Sequence, residues 1–431
     1  MNPATRPESN RSRIHYAWVI LGALCLVLLV SSGMRSTFGV FIKYLEGEFG
    51  WSRTSLSLVG SLSLFLYGAI GPLVGRLADR FGPRKVIASS LAVLVVGTFA
   101  TSQIRSQWQL FLTAGVLMAM GAGGAAMSTA ASVVARWFEG RRGLVMGIAG
   151  AGMSAGQLLI FPLATWLILH WGWRQSYSSL GIGLLIVVLP LAIVLIRNDP
   201  KEMGLKPFGT GTEPQRTSAD GTRVERTSLR EAIHVPEFWL LAGGFFVCGY
   251  TSTGLVMMHF YPHAVEHGFS EMTTSFALSI MGTLNIVGTI TSGWICDRFG
   301  RKGPLATYYF VRGLSLLFLI WVSSVPSLHL FAAIFGLNYV STVPPTSTLT
   351  ANIFGRYSTG ELNGSIFLSH QVGAALGSWV GRASYDLTGS YTVAFVSAAI
   401  LAFLASGMTL AIRDEPRKAT PAPLAARATS Y

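Results

Sequence analysis

The stretch Gly75-Arg76-Leu77-Ala78-Asp79-Arg80-Phe81-Gly82-Pro83-Arg84-Lys85 constrains this chain more than any other. It is basic, punctuated by glycine, and set between two long apolar runs. It returns 218 residues later as Gly293-Trp294-Ile295-Cys296-Asp297-Arg298-Phe299-Gly300-Arg301-Lys302, with Gly, Asp, Arg, Phe and Gly at the same offsets. A second echo supports the first: Gly143, Gly147 and Gly156 have counterparts 217 residues on at Gly360, Gly364 and Gly373. Self-similarity at one long period marks a chain made of two copies of one half. When the repeated unit is a set of membrane-length helices, the two copies form facing bundles.

The apolar runs recur at lengths near 20 residues, enough to cross ~30 Å of hydrocarbon. Charged residues make up only 12% of the chain, where an ordinary soluble domain carries about 25%. The expected fold is therefore an all-α membrane protein, with twelve transmembrane helices in two pseudo-symmetric six-helix bundles. Spans are expected near 16–44, 52–75, 85–102, 108–134, 143–169, onward to about 197, then 238–261, 273–295, 305–322, 328–353, 362–383 and 391–412. Residues 1–196 form the first bundle, 197–236 a cytoplasmic linker, and 237–431 the second bundle with a short basic tail. Gly209–Ser228 is rich in Gly, Thr, Ser and charge without an apolar period, so flexibility is expected there. The run after residue 15 is too long for a cleavable signal and is read as the first span.

A net charge of +13 invites a nucleic-acid reading, but topology accounts for it. With the N-terminus inside, 25 of the 32 Lys and Arg fall in cytoplasmic segments, five fall outside, and Arg35 and Arg312 lie within spans. That asymmetry is the positive-inside rule. It predicts an integral plasma (inner) membrane protein with both termini cytoplasmic and no nucleic-acid partner. The basic tail is a candidate for anionic lipid, although a disordered positive-inside tail is the simpler account. Cys25, Cys248 and Cys296 show no disulfide or metal spacing. There is no phosphate-cradling Gly-Lys motif, nucleophile elbow or metal cluster. The reading is accordingly not an enzyme, with no cofactor, no metal and no catalytic residue.

The sequence G-x-L-x-D-R-x-G-x-R-K after span 2, with its weaker copy after span 8, resembles the loop signature of the major facilitator superfamily. Three further features resemble the monocarboxylate-transporter and oxalate/formate-antiporter branch. These are Arg136-Trp137-Phe138 followed by Arg141-Arg142-Gly143-Leu144, the run Asn198-Asp199-Pro200 through Pro207, and Arg35-Ser36 with Val40-Phe41 in span 1. The resemblance implies a gating role for Gly75, Asp79, Arg80, Gly82, Arg84, Gly293, Asp297, Arg298 and Gly300. Physically, Asp79 near a helix end can meet a neighbouring helix N-terminus and an arginine. Gly75 and Gly82 allow close packing and a tight turn. The bland alternative is a solvated positive-inside turn.

No Asp or Glu falls within the core of a span, so carboxylate proton carriers are lacking there. Arg35 stands about two-thirds along span 1. A cation in a span costs at least ~2.5–3.5 kcal/mol on insertion scales and should face a polar cavity. With no intramembrane acid to neutralise it, an anionic substrate is the simplest partner, and monocarboxylate transporters have a lysine at the matching position. Snorkelling outward is the alternative. Span 8 departs from that family. The family's acidic residue or Asn falls at Asn285, but its following arginine is replaced by Thr289. Tyr339, His370, Gln371 and Tyr250 are further candidates for substrate hydrogen bonds, each with packing as the alternative, and Gln157 is a weaker one. Asn338 and Tyr339 precede Thr342-Val343-Pro344-Pro345-Thr346, where paired prolines break the helix ladder. His259 and His263 are expected as interfacial anchors. Arg312 is expected to be structural or to snorkel.

The combined reading is a secondary or facilitative transporter working by alternating access. Its substrate is a small organic anion, a carboxylate, and protons are a candidate coupling partner. Arg35 would supply charge, and Asn285, Tyr339 and His370 hydrogen bonds. An exporter of drug-like or neutral compounds stays open because of Thr289. A membrane sensor that binds without translocating is the third possibility. Oligomeric state is not readable, and a monomer is the default.

Overall fold

The computed structural model describes residues 15–210 and 226–415. Among these residues the secondary structure is helical apart from an isolated bridge between Phe138 and Phe208. We number the helices α1 (Tyr16–Phe49), α2 (Ser55–Phe81), α3 (Pro83–Ser102) and α4 (Gln107–Trp137). The run Arg142–Leu195 doubles back at Gly172, whose φ of 75° and ψ of 166° interrupt the helix. It therefore supplies α5 (142–171) and α6 (173–195). Next come α7 (Pro236–Glu266), α8 (Glu271–Phe299) and α9 (Lys302–Ile320). Helix α10 is two segments, Val325–Asn338 and Val343–Phe354, followed by α11 (Thr359–Thr388) and α12 (Thr392–Ala411).

Nine described runs are long and apolar enough to cross a membrane by length and composition, counting α5 with α6 as one. Helices α10 and α11 fall outside that set for visible reasons. Proline pairing at Pro344-Pro345 breaks α10, and α11 carries Asn363, Ser365, Ser369, His370 and Gln371 along one run. Long helices with exposed Leu, Ile, Val and Phe on one side and small residues on the other suit a lipid-facing bundle.

Each half has its own apolar core. One cluster runs from Ala17 to Ile196 and the others lie between Ala232 and Ile412. Within the halves α1 packs on α5 and α7 on α11, while α5 meets α8 and α2 meets α11 across the halves. These are matching pairs under the internal repeat.

One expectation needs correction. The repeated basic stretch is mostly helix: α2 continues through Asp79 to Phe81 and α8 through Asp297 to Phe299. Only Gly82 (φ 92°) and Gly300 (φ 87°) turn the chain. Residues 76–81 carry charge on one helical face and apolar side chains on the other, so they extend the helix beyond the hydrocarbon. The 197–236 linker is ordered at both ends. Asp199 caps the Pro200–Met203 turn, Phe208 donates its N–H to the Trp137 carbonyl at 2.8 Å, and Thr227 N–H bonds Ser358 Oγ at 2.7 Å. Of Gly209–Ser228, where flexibility is expected, residues 211–225 lie outside the described residues, as does the tail beyond 415. Of the two expectations for Arg312, structural or snorkelling, its complete burial fits the structural one.

Candidate functional site

At the end of the molecule that carries the basic stretches, which we call the basic end, the halves are bolted together by two carboxylates. Asp79 at the end of α2 accepts hydrogen bonds from Gly360 N–H at 3.2 Å and Glu361 N–H at 2.8 Å, the first turn of α11. Ser132 Oγ donates to it at 2.8 Å, and Arg136 lies at 4.0 Å. Arg136 also donates to the Ala78 and Asp79 carbonyls, so one guanidinium caps the C-terminus of α2. Asp297 at the end of α8 repeats the arrangement on α5, accepting from Gly143 N–H at 2.7 Å and Leu144 N–H at 2.8 Å. A carboxylate on a helix N-terminus gains from both the free N–H groups and the helix dipole.

The glycines let the backbones meet. A side chain on Gly75 would overlap the Gly360 carbonyl, and one on Gly293 would overlap that of Gly143. Of the other signature residues, Gly82 fits beside the Asn198 amide, which accepts the Arg84 N–H at 3.1 Å. Arg80 lies over its neighbour Phe81, and Arg298 over Trp294 and Phe299. Gly300 supplies only its turn. Arg356 and Glu139, which occupy the same position in the two repeats, pair across the halves at 3.3 Å.

Mid-depth, Arg35 is partly buried on α1. Its guanidinium lies over the Tyr67 ring at 4.9 Å, and its Nε is enclosed without a hydrogen-bond partner. It lines a narrow cleft with Met34, Phe38, Ser63, Leu94, Ala114 and Met118. That cleft is built from α1 to α4 of the first half rather than between the halves. The link to the second half is aromatic. Tyr67 meets Phe367 of α11 edge-on at 5.7 Å, and Phe367 stacks on His370 at 5.5 Å. His370 Nδ1 faces Gln371 Oε1 at 3.1 Å, and Gln371 Nε2 reaches the Leu64 carbonyl of α2 at 3.4 Å. Arg35, His370 and Gln371 are thus brought into one cluster, with Tyr67 as the bridge. Sequence reasoning missed Tyr67 because an aromatic in an apolar run carries no signal; its spacing from Gln371 exists only in the fold. Gln157 donates to Ser32 Oγ at 3.3 Å, beside Arg35 on the α1–α5 seam.

The remaining candidates go elsewhere. Asn285 is buried, and its amide joins three helices: Nδ2 donates to Ser154 Oγ of α5 at 3.0 Å, while Oδ1 accepts the Val340 N–H at 3.2 Å. In this conformation it bonds helix to helix. Thr289, fully buried, donates to the Asn285 carbonyl at 2.7 Å. Tyr339 sits at the break in α10, with its ring edge-on to Phe335 at 6.0 Å and its carbonyl bonded by Arg312. Tyr250 begins a π-helical turn of α7, Tyr250–Val256, and its hydroxyl meets Ser397 of α12 at 3.1 Å. It belongs to the buried core of the second half and not to the Arg35 cluster. His259 binds the Ser378 carbonyl, and His263 packs against His267 and Phe395.

A family model described as Major Facilitator Superfamily matches residues 24–378 and 293–430. The chain belongs to the major facilitator superfamily. Among its relatives in that superfamily, the uncharacterized MFS-type transporter YcxA of Bacillus subtilis is 27% identical, over 87% of this chain and 90% of the relative. Monocarboxylate transporter 12-B of Danio rerio is 25% identical, over 88% and 83% respectively. Among solved structures, the human organic anion transporter MFSD10 superposes with a TM-score of 0.70 at 15% identity, over 91% of this chain and 99% of that one. FucP in the outward conformation gives 0.68 at 16%, over 92% and 99%. The fold is therefore that of the superfamily, and the chain is a multi-pass membrane transporter of a small molecule.

Proposed function

We propose that this superfamily transporter moves a small organic anion, a carboxylate, by alternating access. The observation that carries the reading is Arg35. A guanidinium in the middle of a span, held only against the face of Tyr67 and with Nε unpaired, is a charge waiting for an anion. A cation–π contact is worth about 0.5–2 kcal/mol, less than a paired, desolvated carboxylate returns. A substrate carboxylate therefore displaces the ring. His370 and Gln371 lie two ring contacts away on α11, so a substrate long enough to span the seam takes hydrogen bonds from both halves. Proton coupling would enter through His370 or the substrate carboxyl itself. The positive-inside distribution puts the basic end and both termini in the cytoplasm of a plasma (inner) membrane. The presence of monocarboxylate transporters among the relatives supports the class.

The test is uptake into proteoliposomes of lactate, pyruvate, oxalate, xylose and a lipophilic cation, each with and without an inward proton gradient. Arg35→Gln is run beside the parent. Carboxylate flux that the substitution abolishes is the expected result. Flux of neutral or cationic compounds, unchanged in Arg35→Gln, overturns the anion reading and moves the protein to the drug-exporter group. Binding without any flux would make it a sensor.

A further inference from the structure

Arg312 is buried at the middle of α9 with no exposed surface. An isolated charge in such a place costs several kcal/mol unless fully bonded. Its Nε donates to Asn338 Oδ1 at 3.1 Å and Nη1 to Thr251 Oγ1 at 3.4 Å. Its Nη2 donates to the carbonyls of Asn338 at 2.6 Å and Tyr339 at 3.0 Å. Asn338 is itself aimed by its Nδ2, which donates to the Tyr308 carbonyl at 2.8 Å. The two carbonyls are those left free where the Val325–Asn338 segment stops. The guanidinium therefore takes the place of the missing helical turn and meets the negative end of that segment's dipole.

The break continues into the contact between the halves. Past Tyr339 the Val340 N–H leaves the helix ladder and donates to Asn285 Oδ1. That fixes the amide so that Nδ2 points at Ser154 of the opposite half. Ser292 Oγ of α8 takes the Ser341 carbonyl that the prolines release. An unbroken series of hydrogen bonds thus leads from Arg312 through the α10 break and Asn285 to Ser154.

We propose that Arg312 is a positioning residue for transport. By holding α10 broken it holds Asn285 on Ser154, and so it sets the balance between the state closed at the basic end and the state open there. The inference rests on the alternating-access reading, and the experiment separates the two. The full-length protein, with Cys25→Ala and the buried Cys248 and Cys296 retained, carries spin labels at Gln103→Cys and Ser323→Cys. These exposed positions lie one in each half, in the turns opposite the basic end. Distances are measured in liposomes without substrate.

Arg312→Met is expected to change the ratio of long to short distances about fivefold or more toward the short, with Arg312→Lys between it and the parent. Asn338→Ala, which removes one acceptor and leaves the charge, moves the ratio the same way. In a Ser154→Ala background Arg312→Met adds no further change, because the last link is already cut. If Arg312→Met fails to elute as a single folded species, Arg312→Lys and Asn338→Ala decide. Folded variants that keep the parent ratio, or an effect that persists in full without Ser154, overturn the inference alone. A parent that holds a single distance overturns it together with alternating access.

Discussion

Arginine 35 and arginine 312 show how the same residue type does opposite things in one membrane protein. Arg312 makes four hydrogen bonds, all to neutral groups, and holds the break in α10. Among the described residues, Arg35 is held by the face of the Tyr67 ring, with its Nε unbonded. Arg35→Lys keeps the charge but loses the planar contact with Tyr67, so it should retain carboxylate flux with KM raised several-fold, read in the same proteoliposome assay. Tyr67→Phe should change little, because the ring and not the hydroxyl faces Arg35, whereas Tyr67→Ala should raise KM and weaken the aromatic link to Phe367. The departure from the monocarboxylate pattern at Thr289 also has a residue-scale consequence. Thr289 is fully buried, and side chains at Gly147 and Gly150 would run into it. Restoring the family residue with Thr289→Arg is therefore expected to destabilise the α5–α8 seam, seen as a lowered melting temperature. A gain of carboxylate affinity without loss of stability would contradict that packing argument.

Between helices, the decisive feature is close backbone approach at glycine. Gly75 on α2 lies against Gly360 on α11, with Asp79 bonded to the following N–H groups. A methyl at either position forces the pair apart, and overpacking of this kind costs about 1–3 kcal/mol. Gly75→Ala should open the basic end, raising the reactivity of a cysteine placed at the part-buried Ser365, next to Gly364, which packs on Gly71 of α2. Gly39→Ala, where a new Cβ meets nothing within 4 Å, should leave that reactivity at the parent level. Equal effects at both sites would show that glycine serves flexibility rather than contact. The Arg356–Glu139 pair is partly exposed, and its loss should cost little, since exposed ion pairs contribute about 0–1 kcal/mol.

Over the whole molecule, the twelve helices place residues 15 and 415 on the same side of the bundle, and the proposed topology puts that side in the cytoplasm. A cytoplasm-active reporter joined after residue 415 and one inserted at 210 should both be active, while one inserted at 103 should be silent. A reporter active at 103 would invert the topology. The contacts described between the halves, from Gly75–Gly360 to Ser154–Asn285, lie between the basic end and mid-depth. The molecule is closed at that end, where Asp79 and Asp297 bond across the halves.

What could be read from residues alone was whatever obeys a period or a repeat. Hydrocarbon thickness sets helix length, so apolar runs announce the spans; the 217- and 218-residue echoes announce two halves; and the scarcity of membrane acids singles out Arg35. The helical state of 76–81 was missed because charge in a glycine-flanked stretch reads as a turn, although a helix can carry its charges past the lipid. Side-chain partnership had no such signal. Tyr67 touching both Arg35 and Phe367, Asn285 spent on Ser154 and Val340, Tyr250 turned to α12, and Arg312 filling the break in α10 all join positions far apart in sequence. Which of them meet depends on the rotation and depth of each helix, and those are set by packing between helices rather than by the composition of any one of them.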